Sequence, residues 1–127
     1  MFITIKLICR TCKIEVSEEV EELKNTKLLY SNGDQEYIRK GFYILDFTPI
    51  GGVVSELNLK DFFIINIEDS INSKPHINPD RLIGCCGLSG VYGHNIVCIN
   101  NHEIGIKEED CSGPHYVALD PELVKRI

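Results

Sequence analysis

Residues 3–16 read Ile-Thr-Ile-Lys-Leu-Ile-Cys-Arg-Thr-Cys-Lys-Ile-Glu-Val, and this stretch decides the fold class. Apolar and polar residues alternate before Cys9 and again after Cys12, which is the period of two that is typical of half-buried strands. The four residues from Cys9 to Cys12 then form the tight turn between the strands. The stretch therefore predicts a β-hairpin with a Cys-x2-Cys pair at its tip.

Five later segments are rich in β-branched or aromatic residues and predict further strands: 37–47, 62–67, 95–98, 103–106 and 116–119. Ser17 followed by Glu18 and Glu19 is typical of a helix start and predicts a helix of one or two turns. The polar stretch 69–80, which contains two prolines, predicts a loop. We therefore expect a mostly β protein, α+β at most, with hairpins of the zinc-knuckle type and one or two short helices.

Length and composition fit this fold class. The 127 residues are 43% hydrophobic and 25% charged, which is typical of a folded protein. A chain of this length fits one domain, so we expect residues 1–127 to form a single zinc-binding domain. Six cysteines are more than ordinary usage and fewer than a scaffold built on disulfides requires.

The N-terminal residues lack the pattern of a signal peptide, and the most apolar run, residues 62–65, is interrupted by Asn66. We therefore expect a cytoplasmic protein with no membrane partner. Thiols stay reduced in the cytoplasm, so clustered cysteines indicate metal binding or catalysis before disulfides. The net charge of −6 and the scattered basic residues disfavour nucleic acid, which leaves a protein or a small molecule as the expected partner.

Two short motifs together predict a zinc site. Cys9-x2-Cys12 supplies two thiolates, and Cys98-x3-His102 completes a Cys3His set on a second predicted hairpin. A thiolate-rich, four-ligand set is closed and therefore structural. Two alternatives stay open: a cysteine from elsewhere in the chain replaces His102, or Cys9 and Cys12 form a redox pair of the thioredoxin type.

The remaining cysteines form a second candidate set. Cys85 and Cys86 stand between two glycines, and Cys111-x3-His115 follows later in the chain. These four residues predict either a second metal site or a set of reactive thiols, and each of the three cysteines is also an alternative fourth ligand for the first site. In a thiol enzyme, His94 or His115 would act as the base.

The motifs that would identify an enzyme are missing. The sequence around Ser89 lacks the second glycine of the hydrolase elbow, and no Gly-Lys-Ser/Thr phosphate loop is present. The sequence therefore favours a non-catalytic, zinc-stabilised binding or interaction module. The alternatives are a thiol or metal-dependent enzyme, or a metal or redox sensor, that uses the region of Cys85 and Cys86.

The residues that carry a family resemblance are the stretch 81–90, Arg-Leu-Ile-Gly-Cys-Cys-Gly-Leu-Ser-Gly, followed by Gly93, Asn95, Cys98, 102–105, 110–111 and 114–121. Through them this chain resembles a group of small uncharacterised bacterial proteins that open with Cys-x-x-Cys. That resemblance implies a bacterial, cytoplasmic protein and no particular activity. An early Cys-x-x-Cys and a late Cys98-x3-His102 are also similar to the zinc-bearing β-tent domains of the cereblon, Yippee and Mss4 type. The tryptophan cage of those domains has no counterpart, because the chain contains no Trp.

Overall fold

The structure is a computed structural model that describes residues 3–24, 36–45, 61–83, 88, 93–109 and 114–127. Secondary structure in this part of the chain is almost entirely β, with two short 3-10 helices at Ile67–Asp69 and Pro79–Arg81. The strands are β1 Thr4–Ile5, β2 Leu7–Cys9, β3 Val20–Glu22, β4 Phe42–Ile44, β5 Phe63–Ile65, β6 Ser73–Pro75, β7 Ile96–Cys98, β8 Glu103–Glu108, β9 Tyr116–Leu119 and β10 Val124–Arg126. Among the described residues, no helix has the length and apolarity needed to cross a membrane.

Eight strands form one curled sheet in the order β1-β3-β4-β5-β9-β8-β7-β6, and β10 pairs with β2 as a separate ribbon. The strand pairs are antiparallel except for β3 and β4. The ribbon packs against the large sheet, because Leu7, Cys9 and Val124 belong to the same buried cluster as Ile65 and Val117. The second strand and the last strand are therefore neighbours, and Cys9 of β2 lies in the core between the ribbon and the sheet.

The large sheet buries apolar side chains on both faces. We call the face that meets the ribbon the inner face; Ile65, Ile96, Cys98, Val117 and Leu119 belong to its cluster. A second buried cluster covers the other face, which we call the outer face: Leu23, Tyr37, Ile38, Ile44, Ile64, Ile106, Tyr116 and Ala118. Successive residues of β5 and β9 alternate between the two clusters, as strand geometry requires.

Strand β8 carries a bulge that changes this alternation. Ile96 pairs with Gly105 and Val97 pairs with Glu103, so Ile104 is an extra residue on β8 and joins the inner cluster. A Cβ at Gly105 would collide with the carbonyl oxygen of Ala118 on β9. Glycine is therefore required where the two backbones approach each other.

The predicted β class and the strands of residues 62–67, 95–98, 103–106 and 116–119 are confirmed in type, and β4 lies within the predicted strand 37–47. The helix predicted after Ser17 is wrong: residues 20–22 form β3, and the Ser17 hydroxyl accepts a hydrogen bond from the distant Leu7 N–H at 2.9 Å. The loop predicted for 69–80 is wrong in part, because β6 lies within it. Pro75 is tolerated there since β6 is the edge strand and leaves one side unpaired.

Candidate metal centre

The first cysteine pair lies on a tight hairpin. The Cys9 N–H donates to the Ile14 carbonyl at 2.9 Å, and the Lys13 N–H donates back to the Cys9 carbonyl at 2.8 Å. Lys13 adopts a left-handed conformation with φ 66°, which closes the turn. The turn places Cys12 beside Cys9, whose strand β2 pairs with Val124 of β10.

The second pair lies on a hairpin between β7 and β8. The Asn101 N–H donates to the Cys98 carbonyl, and the Cys98 N–H donates to the His102 carbonyl, both at 2.8 Å. Asn101 has φ 69°, a left-handed conformation that asparagine tolerates better than most residues. This is the pattern of a three-residue hairpin loop, and it brings His102 directly opposite Cys98.

The two hairpins meet and bring all four predicted ligands together. The ligand atoms of Cys9, Cys12, Cys98 and His102 lie within 4.8 Å of one another. His102 Nδ1 is 3.8 Å from Cys9 Sγ and 3.5 Å from Cys98 Sγ, and the sulfurs of Cys12 and Cys98 are 3.7 Å apart. A zinc tetrahedron with bonds of about 2.3 Å to sulfur and about 2.0 Å to nitrogen has a sulfur–sulfur edge of about 3.8 Å and a sulfur–nitrogen edge of about 3.5 Å. The three separations are close to those edges, and the four residues lie close enough together to hold a metal ion.

Hydrogen bonds lower the pKa of one of the thiols. The pKa of the Cys12 thiol is lowered to about 6, first by a hydrogen bond from the Asn100 side chain and then by the backbone N–H of Ile14. Burial is the main cause that raises the pKa of the Cys98 thiol, and backbone N–H groups of His102 and Asn100 oppose it. Hydrogen bonds therefore favour the thiolate form of Cys12, whereas burial favours the thiol form of Cys98, and a neighbouring cation would favour the thiolate of both.

Two residues outside the ligand set connect the hairpins to the rest of the fold. The Asn72 side chain donates to the Glu15 carbonyl at 2.8 Å, and the Asn72 carbonyl accepts from the Ile99 N–H at 3.0 Å. Asn72 thus links the two ligand-bearing turns. Arg10 Nε donates to the carbonyls of Pro121 and Val124 at 3.0 and 3.1 Å, which fixes the first hairpin to β10.

The second candidate set is not brought together in the described part of the chain. Cys85, Cys86 and Cys111 lie outside the described residues. His115 is described. Its backbone forms an isolated parallel β-bridge with Glu36, and its carbonyl accepts a hydrogen bond from the Tyr37 N–H. A second metal site or a reactive-thiol set at these residues therefore stays a prediction.

A separate polar cluster lies on the outer face of β7 and β8. Val97 points away from the inner face, and Glu103 pairs with it, so the Glu103 side chain lies on the outer face. The Glu103 carboxylate is 2.7 Å from His76 Nε2. The Asn78 N–H donates to His76 Nδ1 at 2.9 Å, so Nε2 carries the proton and donates it to Glu103.

The same cluster continues through a second histidine. His94 Nε2 is 2.8 Å from Asp120 Oδ2, and His94 Nδ1 is 3.8 Å from Glu103 Oε1. The other Asp120 oxygen accepts from the Glu122 N–H at 2.9 Å. We call His76, Glu103, His94 and Asp120 the polar network. Sequence reasoning identifies His94 as a candidate base but not its partner, since Asp120 is 26 residues away along the chain.

Sequence reasoning also misses the supporting residues Asn72 and Asn100. Both are short amides in polar loops, and nothing in the spacing of the motifs distinguishes them from surface residues. In the structure, Asn72 has a left-handed φ of 52°, which asparagine adopts more easily than most residues. The residue type is therefore a weak signal of a special backbone position.

Comparisons of this chain with models of known protein families, with curated proteins and with solved structures found no match. The resemblance to small bacterial Cys-x-x-Cys proteins and to β-tent domains therefore stays a prediction.

Proposed function

We propose that this chain is a non-catalytic binding module whose fold is held together by one structural Zn²⁺ at Cys9, Cys12, Cys98 and His102. The observation that carries the proposal is the close approach of these four ligand atoms, which lie within 4.8 Å of one another. Thiolates and imidazole in this proportion are characteristic of structural zinc sites. The proposal places the protein in the cytoplasm, where the thiols stay reduced.

The donor set argues for a structural ion over a catalytic one. Four protein ligands fill the tetrahedron and leave no position for water or substrate. Three thiolates also neutralise the charge of Zn²⁺, which weakens its ability to polarise a substrate. Cys9 and Cys98 are buried within the inner cluster, so the ion would become part of the core. It would join chain segments 86 residues apart at Cys12 and Cys98.

Zinc content and cobalt spectroscopy test the proposal. Purified protein is expected to contain one zinc per chain and to lose its cooperative unfolding transition when a strong chelator removes the metal. The Co²⁺ form is expected to show the intense visible bands of a tetrahedral ion and the charge-transfer bands of thiolate ligands. A folded protein with less than half an equivalent of metal, unaffected by chelation, contradicts the proposal.

Matched variants identify the ligands. His102→Cys is expected to keep zinc, because the change replaces one good ligand with another, whereas His102→Ala lowers the affinity. The control is the triple variant Cys85→Ser, Cys86→Ser, Cys111→Ser, which is expected to keep a full equivalent of zinc. Loss of zinc in the triple variant would show that one of these cysteines is a ligand in place of His102.

One observation favours a second candidate function, a thiol enzyme. Asp120 accepts a hydrogen bond from His94 Nε2 at 2.8 Å, which orients the imidazole and leaves Nδ1 as a base. A carboxylate that orients a histidine is part of many nucleophilic sites. The nucleophile in this candidate is Cys85 or Cys86.

Thiol reactivity separates the two candidate functions. In an enzyme, one of the two cysteines reacts with iodoacetamide faster than N-acetylcysteine does, and His94→Gln slows that reaction at neutral pH. Lys24→Gln, which changes an exposed residue, serves as the control. Equal rates for the parent protein, the His94→Gln variant and N-acetylcysteine would exclude the enzyme.

A further inference from the structure

A cavity of about 410 Å³ lies on the inner face, beside the candidate metal centre. Its floor includes Ile96 of β7 and Val117 of β9, both of which belong to the inner cluster. Ile96 is two residues from Cys98, and side chains at that spacing on a strand share a face. The cavity therefore lies on the same face of β7 as Cys98 of the metal centre.

Apolar side chains form most of the cavity wall. Ile67 follows β5, Pro75 lies on the edge strand β6, and Leu82 follows the second 3-10 helix. Cavities of this volume with mostly apolar walls are typical of small-molecule sites. The body of a matching ligand is therefore apolar.

Polar groups occupy two ends of the cavity. Ser73 pairs with Cys98 across the β6–β7 ladder and lies at the metal end, where its hydroxyl is 3.0 Å from that of Ser70. Lys107 pairs with Val117 across the β8–β9 ladder, so its side chain projects to the inner face at the opposite end. The apolar floor separates the two ends.

The charge at the Lys107 end favours an anion. Lys107 Nζ is 3.6 Å from Glu109, longer than the roughly 2.7–2.9 Å of a charge-assisted hydrogen bond, so Lys107 retains the capacity to donate. Lys74 also lines the cavity, at its exposed edge, where it pairs with the outward-pointing Val97. Lys107 therefore supplies the positive charge on the inner face.

We propose that this cavity binds a small aliphatic carboxylate, with its hydrocarbon chain on Ile96 and Val117 and its carboxylate on Lys107. The inference rests on the proposed function, because it names the ligand class that the zinc-stabilised module binds. The carboxylate matches the ammonium group of Lys107, and the hydrocarbon chain matches the apolar floor.

Three ligands of equal length and different charge test the proposal by calorimetry on protein that contains one zinc per chain. Octanoate is expected to bind at one site with a Kd of about 1 mM or tighter, the range expected of so small a ligand. Octanamide and octylammonium are expected to bind at least about tenfold more weakly, because each lacks the charge that Lys107 recognises. No saturable binding of octanoate, or equal binding of all three ligands, overturns the proposal.

Two variants with opposite expected effects place the carboxylate. Lys107→Gln is expected to weaken octanoate binding about tenfold, and Glu109→Gln to strengthen it, since Glu109 competes for Lys107. Both positions are partly exposed, and melting temperatures near that of the parent protein show that the variants fold. Lys24→Gln is the charge-matched control and is expected to leave octanoate binding unchanged. An unchanged Kd in Lys107→Gln overturns the proposed carboxylate position.

The zinc assay on the same samples keeps the two proposals distinguishable. Protein that contains zinc and does not bind octanoate contradicts the cavity proposal alone. Folded protein that holds no zinc contradicts the proposed function, whatever its affinity for octanoate.

Discussion

The two faces of the β7–β8 hairpin carry two different clusters. On the inner face, three thiols and His102 converge within 4.8 Å. On the outer face, the polar network of two histidines and two carboxylates extends as a chain of pairwise contacts. His102 and Glu103 are adjacent in sequence, yet one belongs to each cluster. The two clusters therefore use one hairpin to position different chemistry.

The two clusters differ in how their polar atoms are satisfied. In the polar network, both nitrogens of His76 and Nε2 of His94 have partners at 2.7–2.9 Å within the protein. In the thiol cluster, the sulfurs of Cys12 and Cys98 face each other at 3.7 Å, so they would repel each other once both had lost their protons. A cation between them would remove that repulsion, whereas the polar network is satisfied by its own hydrogen bonds.

The largest expected effect is the loss of a thiol ligand. Cys98→Ser is expected to abolish zinc binding and the cooperative unfolding transition at 25 °C. A structural zinc contributes on the order of 10 kcal/mol, as much as the whole stability of a domain of this size. Circular dichroism and metal analysis measure both effects, with Cys111→Ser as the control. A Cys98→Ser protein with the melting temperature of the parent would show that the fold is stable without an ion at the candidate metal centre.

A smaller loss is expected at the glycine in the strand that both clusters share. Gly105→Ala places a methyl group against the Ala118 carbonyl, so β8 and β9 must separate. We expect a loss of about 3 kcal/mol in the free energy of unfolding, measured by urea denaturation. Gly41→Ala is the comparison: its φ of 94° is also unfavourable for alanine, but no atom lies within 4 Å of the added Cβ. Equal losses in the two variants would show that backbone conformation, and not the close approach, determines the cost.

Breaking the polar network is expected to cost less. Asp120→Asn removes the charge from the hydrogen bond with His94 and is expected to lower the free energy of unfolding by about 1–2 kcal/mol. The zinc content is expected to stay at one per chain, because the network is on the other face. Glu122→Gln is the control, since the Glu122 contact to Asp120 comes from its backbone N–H. Loss of zinc in Asp120→Asn would show that the two clusters are not independent.

The smallest effect concerns Asp69, a buried carboxylate outside both clusters. Burial raises its pKa, and a hydrogen bond from the Gly41 N–H at 2.7 Å opposes the rise. Because the folded state favours the protonated form, the stability that Asp69 contributes is full below its ordinary pKa near 3.8 and is lost as the pH rises through the folded pKa.

Asp69→Asn stays neutral at every pH and still accepts from Gly41. We expect its melting temperature to exceed that of the parent by about 2 °C at pH 7 and to equal it at pH 3. Glu68→Gln, at an exposed neighbouring position, is the control. A lower melting temperature at pH 7 would show that the Asp69 charge is stabilised in the fold.

The strands of the central sheet could be predicted because their residues alternate or are densely β-branched, as in β5 and β9. The helix predicted at Ser17 fails because a serine before acidic residues is equally able to bond a distant backbone group, here the Leu7 N–H. Strand β6 is not predicted, because a proline such as Pro75 is unfavourable in a strand except at the edge of a sheet. The sequence does not show which strand is an edge strand. Sheet order is a tertiary property that local pattern does not contain.

The ligand set of the candidate metal centre could be predicted from two short motifs, because ligand spacing on a hairpin is local. The polar network could not, because His76, His94, Glu103 and Asp120 come from four separate segments and no spacing rule relates them. Asn72 shows the same limit: its role depends on the arrangement of two hairpins 86 residues apart at Cys12 and Cys98.

The pairing of β2 with β10 has a consequence for synthesis. Cys9 and Cys12 leave the ribosome some 90 residues before their ligand partners, and Val124, which pairs with Cys9, follows later still. While those residues are being synthesised, the Cys-x2-Cys pair lacks Cys98 and His102 and cannot complete the tetrahedron. The candidate metal centre therefore forms late and through contacts that are distant in sequence, and we expect zinc to bind only after residue 102 has been synthesised.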